Sequence, residues 1–355
     1  MWQVMGMMEE ILLKHFERYP QMQMEDAVKL LFQSEFGGGH MIANPGKSLA
    51  WIRQEWEMQC GQTAGGPVEE IGDGICRIYL SALDQGLAPE TLNQMFVRTA
   101  DLKMGKRDRF EKKLGILLEC CEQGKLPFDP NVLMEYLSAY QAQGYPPVSH
   151  SSTYREQYHP AYRVVAESYA RFYHVFLEID RALRNAGDDQ VIVAIDGMCG
   201  SGKSTLGRLI SEIYDCNLFH MDDFFLRPEQ RTPERMDEIG GNVDYERFGA
   251  EIVEHLADPD GFTYRVFDCS AWGLGEYVTV PYKRLNVIEG AYSQHPYFGD
   301  AYDLRFFYGI DPLEQENRIL KRNGPKMLER FRKEWIPMEN RYLAAYGIAK
   351  NSICV

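Results

Sequence analysis

The hydrophobic pattern changes texture near Val191. Upstream, apolar residues recur at helical spacing, as in Met8, Ile11, Leu12 and Phe16, and again in Ile75, Ile78, Tyr79 and Ala82. That is the pattern of helices that bury one face. β-branched clusters with a period of two are nearly absent here. Breakers fall between the periodic segments at Gly37-Gly38-Gly39, Asn44-Pro45-Gly46, Gly65-Gly66-Pro67 and Pro127. The stretch from Met7 to about Tyr140 is therefore expected to form roughly six helices. Residues 141–160, QAQGYPPVSHSSTYREQYHP, are polar and carry three prolines, which predicts a loop. A helix is expected from about Ala161 to Asn185, with Val164, Val165, Tyr169, Phe172, Phe176 and Ile179 on its apolar face, ended by Gly187-Asp188-Asp189.

From Val191 the pattern is different. VIVAI is short, β-branched and wholly apolar, as a strand buried on both faces of a parallel sheet must be. Further strands are expected at Asn217–Met221, Phe262–Phe267, Leu285–Ile288 and Leu304–Ile310. Helical patterns separate several of them, at Thr205–Tyr214, Tyr245–Ala257 and Pro312–Lys321. Strands alternating with helices predict βαβ units. The fold class that follows is α/β: a three-layer domain with a mainly parallel sheet over residues 187–355, preceded by an all-α domain over residues 1–186.

Bulk properties exclude several functions. The 355 residues suit two domains, and the 45% hydrophobic and 25% charged fractions are those of a globular chain. A net charge of -14 does not advertise a nucleic-acid surface, which needs clustered Lys and Arg. Eight cysteines occur without a single C-x-x-C pair, so zinc ribbons and redox dithiols are not expected. Reduced thiols in a cytoplasmic protein are. The N-terminus lacks the basic-then-apolar order of a signal peptide, and no apolar run approaches the roughly 18 residues of a membrane span.

The strongest chemical signal is Gly197-Met198-Cys199-Gly200-Ser201-Gly202-Lys203-Ser204, which satisfies G-x-x-x-x-G-K-[ST]. VIVAI precedes it and the amphipathic TLGRLISEIY follows. Glycines let the backbone wrap phosphates with its N–H groups pointing inward, and the helix N-terminus adds its positive end. Lys203 is expected on the β- and γ-phosphates, the Ser204 hydroxyl on Mg²⁺, and Thr205 in the same first turn. Cys199 reads as a small filler, not a nucleophile. The implied cofactors are ATP and Mg²⁺.

The next strand ends in Phe219-His220-Met221-Asp222-Asp223-Phe224-Phe225. In an open parallel sheet, ligands lie outside the carboxyl ends of the strands. A carboxylate there can accept the proton of an attacking hydroxyl or support Mg²⁺; the plain alternative is a helix cap.

GMCGSGKST, HMDDFF, GGNVDYERF and NVIEGAY, in that order, resemble the uridine kinase and phosphoribulokinase-type branch of P-loop kinases over about Val191 to Tyr346. The resemblance implies a P-loop fold and phosphoryl transfer to a small-molecule hydroxyl. It implies Asp222 as the base and Asp223 as a Mg²⁺ support. It places Asp244 on a substrate hydroxyl with Tyr245 beside it, Asp268 in a substrate segment and Glu289 on Mg²⁺ or its waters. Arg318 and Arg322 would form a lid over the phosphates. Trp272 stands near the place of a histidine often found in uridine kinases, and the lid is shorter than theirs.

Trp335, Tyr342 and Tyr346 read as packing. In the first domain, Glu35, His40, His150 and His159 have no spacing that makes a metal site, and Phe36-Gly37-Gly38-Gly39-His40 reads as a helix–helix turn. The acceptor is expected to be a nucleoside or related metabolite. A pantothenate- or sugar-like alcohol and a regulatory ATPase remain as alternatives. The role of the first domain and any homo-oligomer are left open.

Overall fold

A computed structural model of the chain describes residues 2–42, 44–58, 66–102 and 105–355; Gly65 and Cys60 lie outside them. The chain divides into two compact units, Met1–Leu177 and Glu178–Val355. The division falls inside one helix, Tyr173–Asn185, ahead of the 186/187 boundary expected from the change in hydrophobic pattern.

The first unit runs α1 (Trp2–Arg18), α2 (Met24–Phe36), α3 (Pro45–Met58), β1 (Val68–Gly72), β2 (Ile75–Tyr79), α4 (Ser81–Asp84), α5 (Pro89–Leu102), α6 (Arg107–Glu122), α7 (Pro130–Ala142), α8 (Ser152–Tyr158), β3 (Tyr162–Ala166), α9 (Glu167–Arg171) and the start of α10 (Tyr173–Asn185). It is mainly helical, as expected, with the addition of a three-stranded antiparallel sheet ordered β1-β2-β3. Ile75–Tyr79 is thus a strand, not a helix. All five of its residues are buried, so no alternation marked it, and four apolar residues within five positions fit either period. Val164 and Val165 likewise belong to β3, and the helix expected over 161–185 becomes a strand and two helices. The polar 141–160 segment contains α8, whose start is fixed by Ser151 accepting from Tyr154 N at 3.0 Å.

A polar network is buried in this unit. Arg77, fully buried, donates to Gln33 Oε1 at 2.7 Å and to Glu69 Oε2 at 3.2 Å, and Tyr79 OH donates to Glu69 at 2.6 Å. His150, pushed down to about 3 by burial, pairs with Asp26 at 2.9 Å. Glu35 pairs with Lys113 at 2.9 Å. Glu35 and His150 thus have separate partners. Gly37 and Gly38 carry the chain out of α2 toward a short 3₁₀ turn at Gly39–Met41.

The second unit contains β4 (Val191–Gly197), α11 (Lys203–Ile213), β5 (Cys216–His220), α12 (Pro233–Asp237), α13 (Tyr245–Glu251), β6 (Phe262–Asp268), β7 (Gly273–Val280), β8 (Leu285–Glu289), β9 (Leu304–Tyr308), α14 (Pro312–Arg330), α15 (Ile336–Ala345) and β10 (Ile353–Cys354). Its five-stranded sheet has the order β10-β9-β4-β8-β5, with every pair parallel. Ala194, Phe219 and Ile288 pack on one face with Phe248 and Ile252 of the α13 region and with Tyr342 of α15. α11 packs on β4, β5 and β8 and adds nothing to that cluster, so it covers the other face. This is the three-layer arrangement expected.

The Phe262–Phe267 strand is not part of the parallel sheet. β6 pairs antiparallel with β7 as a separate hairpin. Its polar Thr263 and Arg265 alternate with apolar neighbours, the mark of a strand buried on one face only. β4 lies between β8 and β9, and the chain passes from one side of it to the other. That is the topological switch point at which such sheets open a ligand crevice.

Candidate active site

The loop after β4 has the backbone its glycines allow. Gly197, Gly200 and Gly202 all have positive φ, at 144°, 76° and 115°, and a Cβ on Gly197 would lie 2.1 Å from Tyr308 O on β9. Only glycine lets β4 turn so close to its neighbour. Lys203 is buried in the first turn of α11, and its Nζ donates to Gly197 O at 2.8 Å and Met198 O at 3.0 Å. The cation is thereby held inside the curl of the loop.

The Cys199 peptide is clamped on both sides. Its N–H donates to Glu339 Oε2 of α15 at 2.8 Å, and its carbonyl accepts from Gln315 Nε2 of α14 at 2.8 Å. Burial raises the Glu339 carboxyl above its usual range, with Lys203 opposing. Burial also pushes the Cys199 thiol far up, the opposite of what a nucleophile needs. One turn from Glu339, Tyr342 OH donates to Asp196 Oδ2 at 2.7 Å. Asp196, fully buried at the end of β4, also accepts from Gly197 N at 2.6 Å and Gln294 N at 3.0 Å. α15 therefore fixes the strand and the loop together.

These groups open into one cavity of about 990 Å³, lined by Cys199, Gly200, Gly202, Lys203, Ser204 and Thr205 together with Asp222, Glu289, Arg318 and Arg322. Every residue that lines it lies between 199 and 341. Asp222 follows β5 and Glu289 ends β8, adjacent strands in the sheet. The Asp222 side chain keeps an exposed surface in the cavity, yet the surrounding protein partly shields its carboxyl from water and raises it, and the Glu289 charge adds to this; Lys203, His220 and Arg322 oppose. His220 Nδ1 lies 2.5 Å from Glu289 Oε1, a hydrogen bond that raises the imidazole above its usual value. Arg318 donates to Ser201 O at 2.9 Å, which holds α14 over the loop.

Four expected site residues stand elsewhere. Asp223 is not among those lining the cavity. Burial raises its carboxyl, and the Tyr264 hydroxyl is hydrogen-bonded to it. Asp244 is buried as the cap of α13, accepting from Arg247 N at 3.2 Å and Gln230 Nε2 at 2.8 Å. Tyr245 donates to Glu238 Oε1 at 2.7 Å and stacks on His295 at 4.2 Å. Asp268 caps the hairpin turn, accepting from Ser270 N at 2.7 Å. Their neighbours Asn242, Val243, Phe267 and Cys269 line the cavity instead. Residues that sequence reasoning had not placed here also line it, among them Arg231, Glu339, Trp335 and Arg341. Glu339 and Tyr342 are three apart on one helix face, which is the single signal that could have joined them. The Ser204 hydroxyl and the Asp222 and Glu289 carboxylates are hard oxygen donors that suit Mg²⁺.

A comparison with protein-family models gives no match. Among curated proteins, the chain is similar to the bifunctional shikimate kinase/3-dehydroquinate synthase of Thermotoga maritima, 38% identical over 64 residues. That stretch is 18% of this chain, and it spans 13% of that protein's length. Among solved structures, the chain is similar to a possible uridine kinase from Bacillus stearothermophilus, with 18% identity and a TM-score of 0.37 over 50% of this chain and 98% of that one. It is also similar to the YGR205w protein, with 14% identity and a TM-score of 0.34 over 52% and 87%.

Proposed function

We propose that this protein transfers the γ-phosphoryl group of ATP to a hydroxyl of a small molecule of the nucleoside or related metabolite class. The observation that carries the reading is the presence of Asp222 in the same cavity as Lys203 and Ser204. A carboxylate facing the nucleotide end serves a proton-releasing nucleophile.

In this reading the loop amides and Lys203 hold the β- and γ-phosphates. The acceptor hydroxyl gives its proton to Asp222 as its oxygen bonds to the γ-phosphorus. The bond from that phosphorus to the β–γ bridging oxygen breaks, and ADP leaves. The transition state is loose, so positioning and charge neutralisation dominate. Arg318 and Arg322 supply positive charge and exclude the water that would hydrolyse ATP. Ser204 and Glu289 would hold Mg²⁺, which offsets phosphate charge. The His220 contact orients the Glu289 carboxylate.

The test is ADP release with a panel of acceptors: uridine, cytidine, ribose, ribose 5-phosphate and pantothenate. At least one should raise the rate above the acceptor-free level. ATP hydrolysis that no acceptor stimulates would favour a regulatory ATPase instead.

A further inference from the structure

The cavity continues past the phosphate loop to a wall that the steps above leave unused. Most of its cations are accounted for. Arg330 pairs with Glu334 at 3.0 Å, Lys333 with Glu329 at 3.1 Å, and Arg341 with Asp237 at 3.6 Å. Lys203, Arg318 and Arg322 belong to the nucleotide end. Arg231 is left over. Among the described residues it has no carboxylate within ion-pair distance, and its guanidinium lies over the Trp272 ring, 5.8 Å from the centroid. It is half-buried in a chain of net charge -14, where carboxylates are the commoner charge.

Trp272 is unusual in its own right. It lines the cavity with 54% of its surface exposed, on a backbone with φ of 53°. A bulky residue pays strain in that left-handed region, so the turn that holds the indole here is an over-determined one. Ring contacts connect it to the segment that carries the base. Phe225, three residues after Asp222, meets Phe267 at 6.1 Å, and Phe267 meets Trp272 at 6.4 Å. An aromatic wall therefore runs from beside Asp222 to a guanidinium without a counter-charge. Guanidinium groups bind carboxylate and phosphate oxygens in a two-pronged fashion.

We propose that the acceptor carries an anionic group, a carboxylate or a phosphate, and that Arg231 pairs with it while Trp272 covers the adjoining carbon skeleton. This rests on the phosphoryl-transfer reading, and it sets the acceptor apart from a neutral nucleoside.

The test loads the full-length protein with saturating Mg²⁺ and AMP-PNP, so that the loop is filled, and then titrates small probes by calorimetry. The probes are orthophosphate, D-glycerate and uncharged glycerol, against wild type, Arg231→Gln and Arg231→Lys. Wild type should bind orthophosphate or D-glycerate and not glycerol, and the better of the two anions names the group. Arg231→Gln should weaken that binding about tenfold or more, the loss of a charge-assisted contact. Arg231→Lys should retain part of it. The inference is overturned if no anion binds the loaded wild type, if glycerol binds as well as the anions, or if Arg231→Gln binds them unchanged. Failure of AMP-PNP itself to bind strikes at the phosphoryl-transfer reading and removes the basis of this one.

Discussion

Replacing Asp222 by Asn tests the role of the base with the least disturbance. The substitution keeps size and shape but cannot take a proton. Among the described residues, the other carboxylates of the cavity are engaged: Glu289 by His220 at 2.5 Å, Glu339 by Cys199 N at 2.8 Å and Glu334 by Arg330 at 3.0 Å, while Asp223 is turned to Tyr264. A general base contributes about 10²–10⁴-fold, and the loose transition state gives no reason to exceed that. The expected fall in kcat is therefore about 10²–10⁴-fold, or roughly 2.7–5.4 kcal/mol of barrier. ATP affinity should hold or tighten slightly, because the loop and Lys203 do the binding and one negative charge facing the phosphates is gone. The pH profile adds a signature. Partial shielding from water in the cavity and the Glu289 charge raise the Asp222 carboxyl above the usual 3.8, and a base must be ionised to act. The acid limb of the wild-type kcat profile should thus lie above 3.8, with activity lost as pH falls through it, and Asp222→Asn should lack that limb. The assay is ADP release at saturating acceptor, with nucleotide binding measured by calorimetry. A kcat within a few-fold of wild type, or a collapse of ATP affinity in step with kcat, would refute the assignment.

Lys203→Ala should lower kcat/KM for ATP at least about a hundredfold, the order seen when one preorganised transition-state donor is removed; near-normal steady-state turnover of a folded variant would show that the loop does not hold phosphates. His220→Gln removes a positive charge that lowers the Asp222 carboxyl, so the acid limb of the kcat profile should move to higher pH; a shift to lower pH would contradict the electrostatic account. Tyr342→Phe removes one of the hydrogen bonds to buried Asp196, and urea denaturation should report a loss of about 1–3 kcal/mol; unchanged stability would mean that this bond contributes nothing to fixing α15 on β4.

Much of the second unit could be read in the sequence because its signals are local. The loop glycines, the strand before them and the helix after them are contiguous; the end of the next strand pointed to Asp222, and the motif resemblance pointed to Glu289, Arg318 and Arg322, all of which line the same cavity as the loop. The acceptor side was less legible. An aspartate that caps a helix and one that meets a substrate look alike until the helix start is known: Asp244 accepts from Arg247 N three residues on. Asp268 does the same for its turn. Glu339 reaches the loop from 140 residues away, a contact that only packing determines. In the first unit, β2 escaped because a wholly buried strand shows no alternation, and its buried Arg77 is tolerable only through partners such as Gln33 and Glu69, which sequence spacing does not reveal.

In the proposed reaction the γ-phosphoryl group goes to a small-molecule hydroxyl and not to water. Phosphorus NMR of a reaction containing the full-length protein, Mg²⁺, ATP and the acceptor that most stimulates ADP release tests this directly. A new phosphate monoester resonance should grow in step with ADP, with little orthophosphate, and should be lost in Asp222→Asn. Orthophosphate appearing in step with ADP, with no monoester signal for any acceptor, would contradict it.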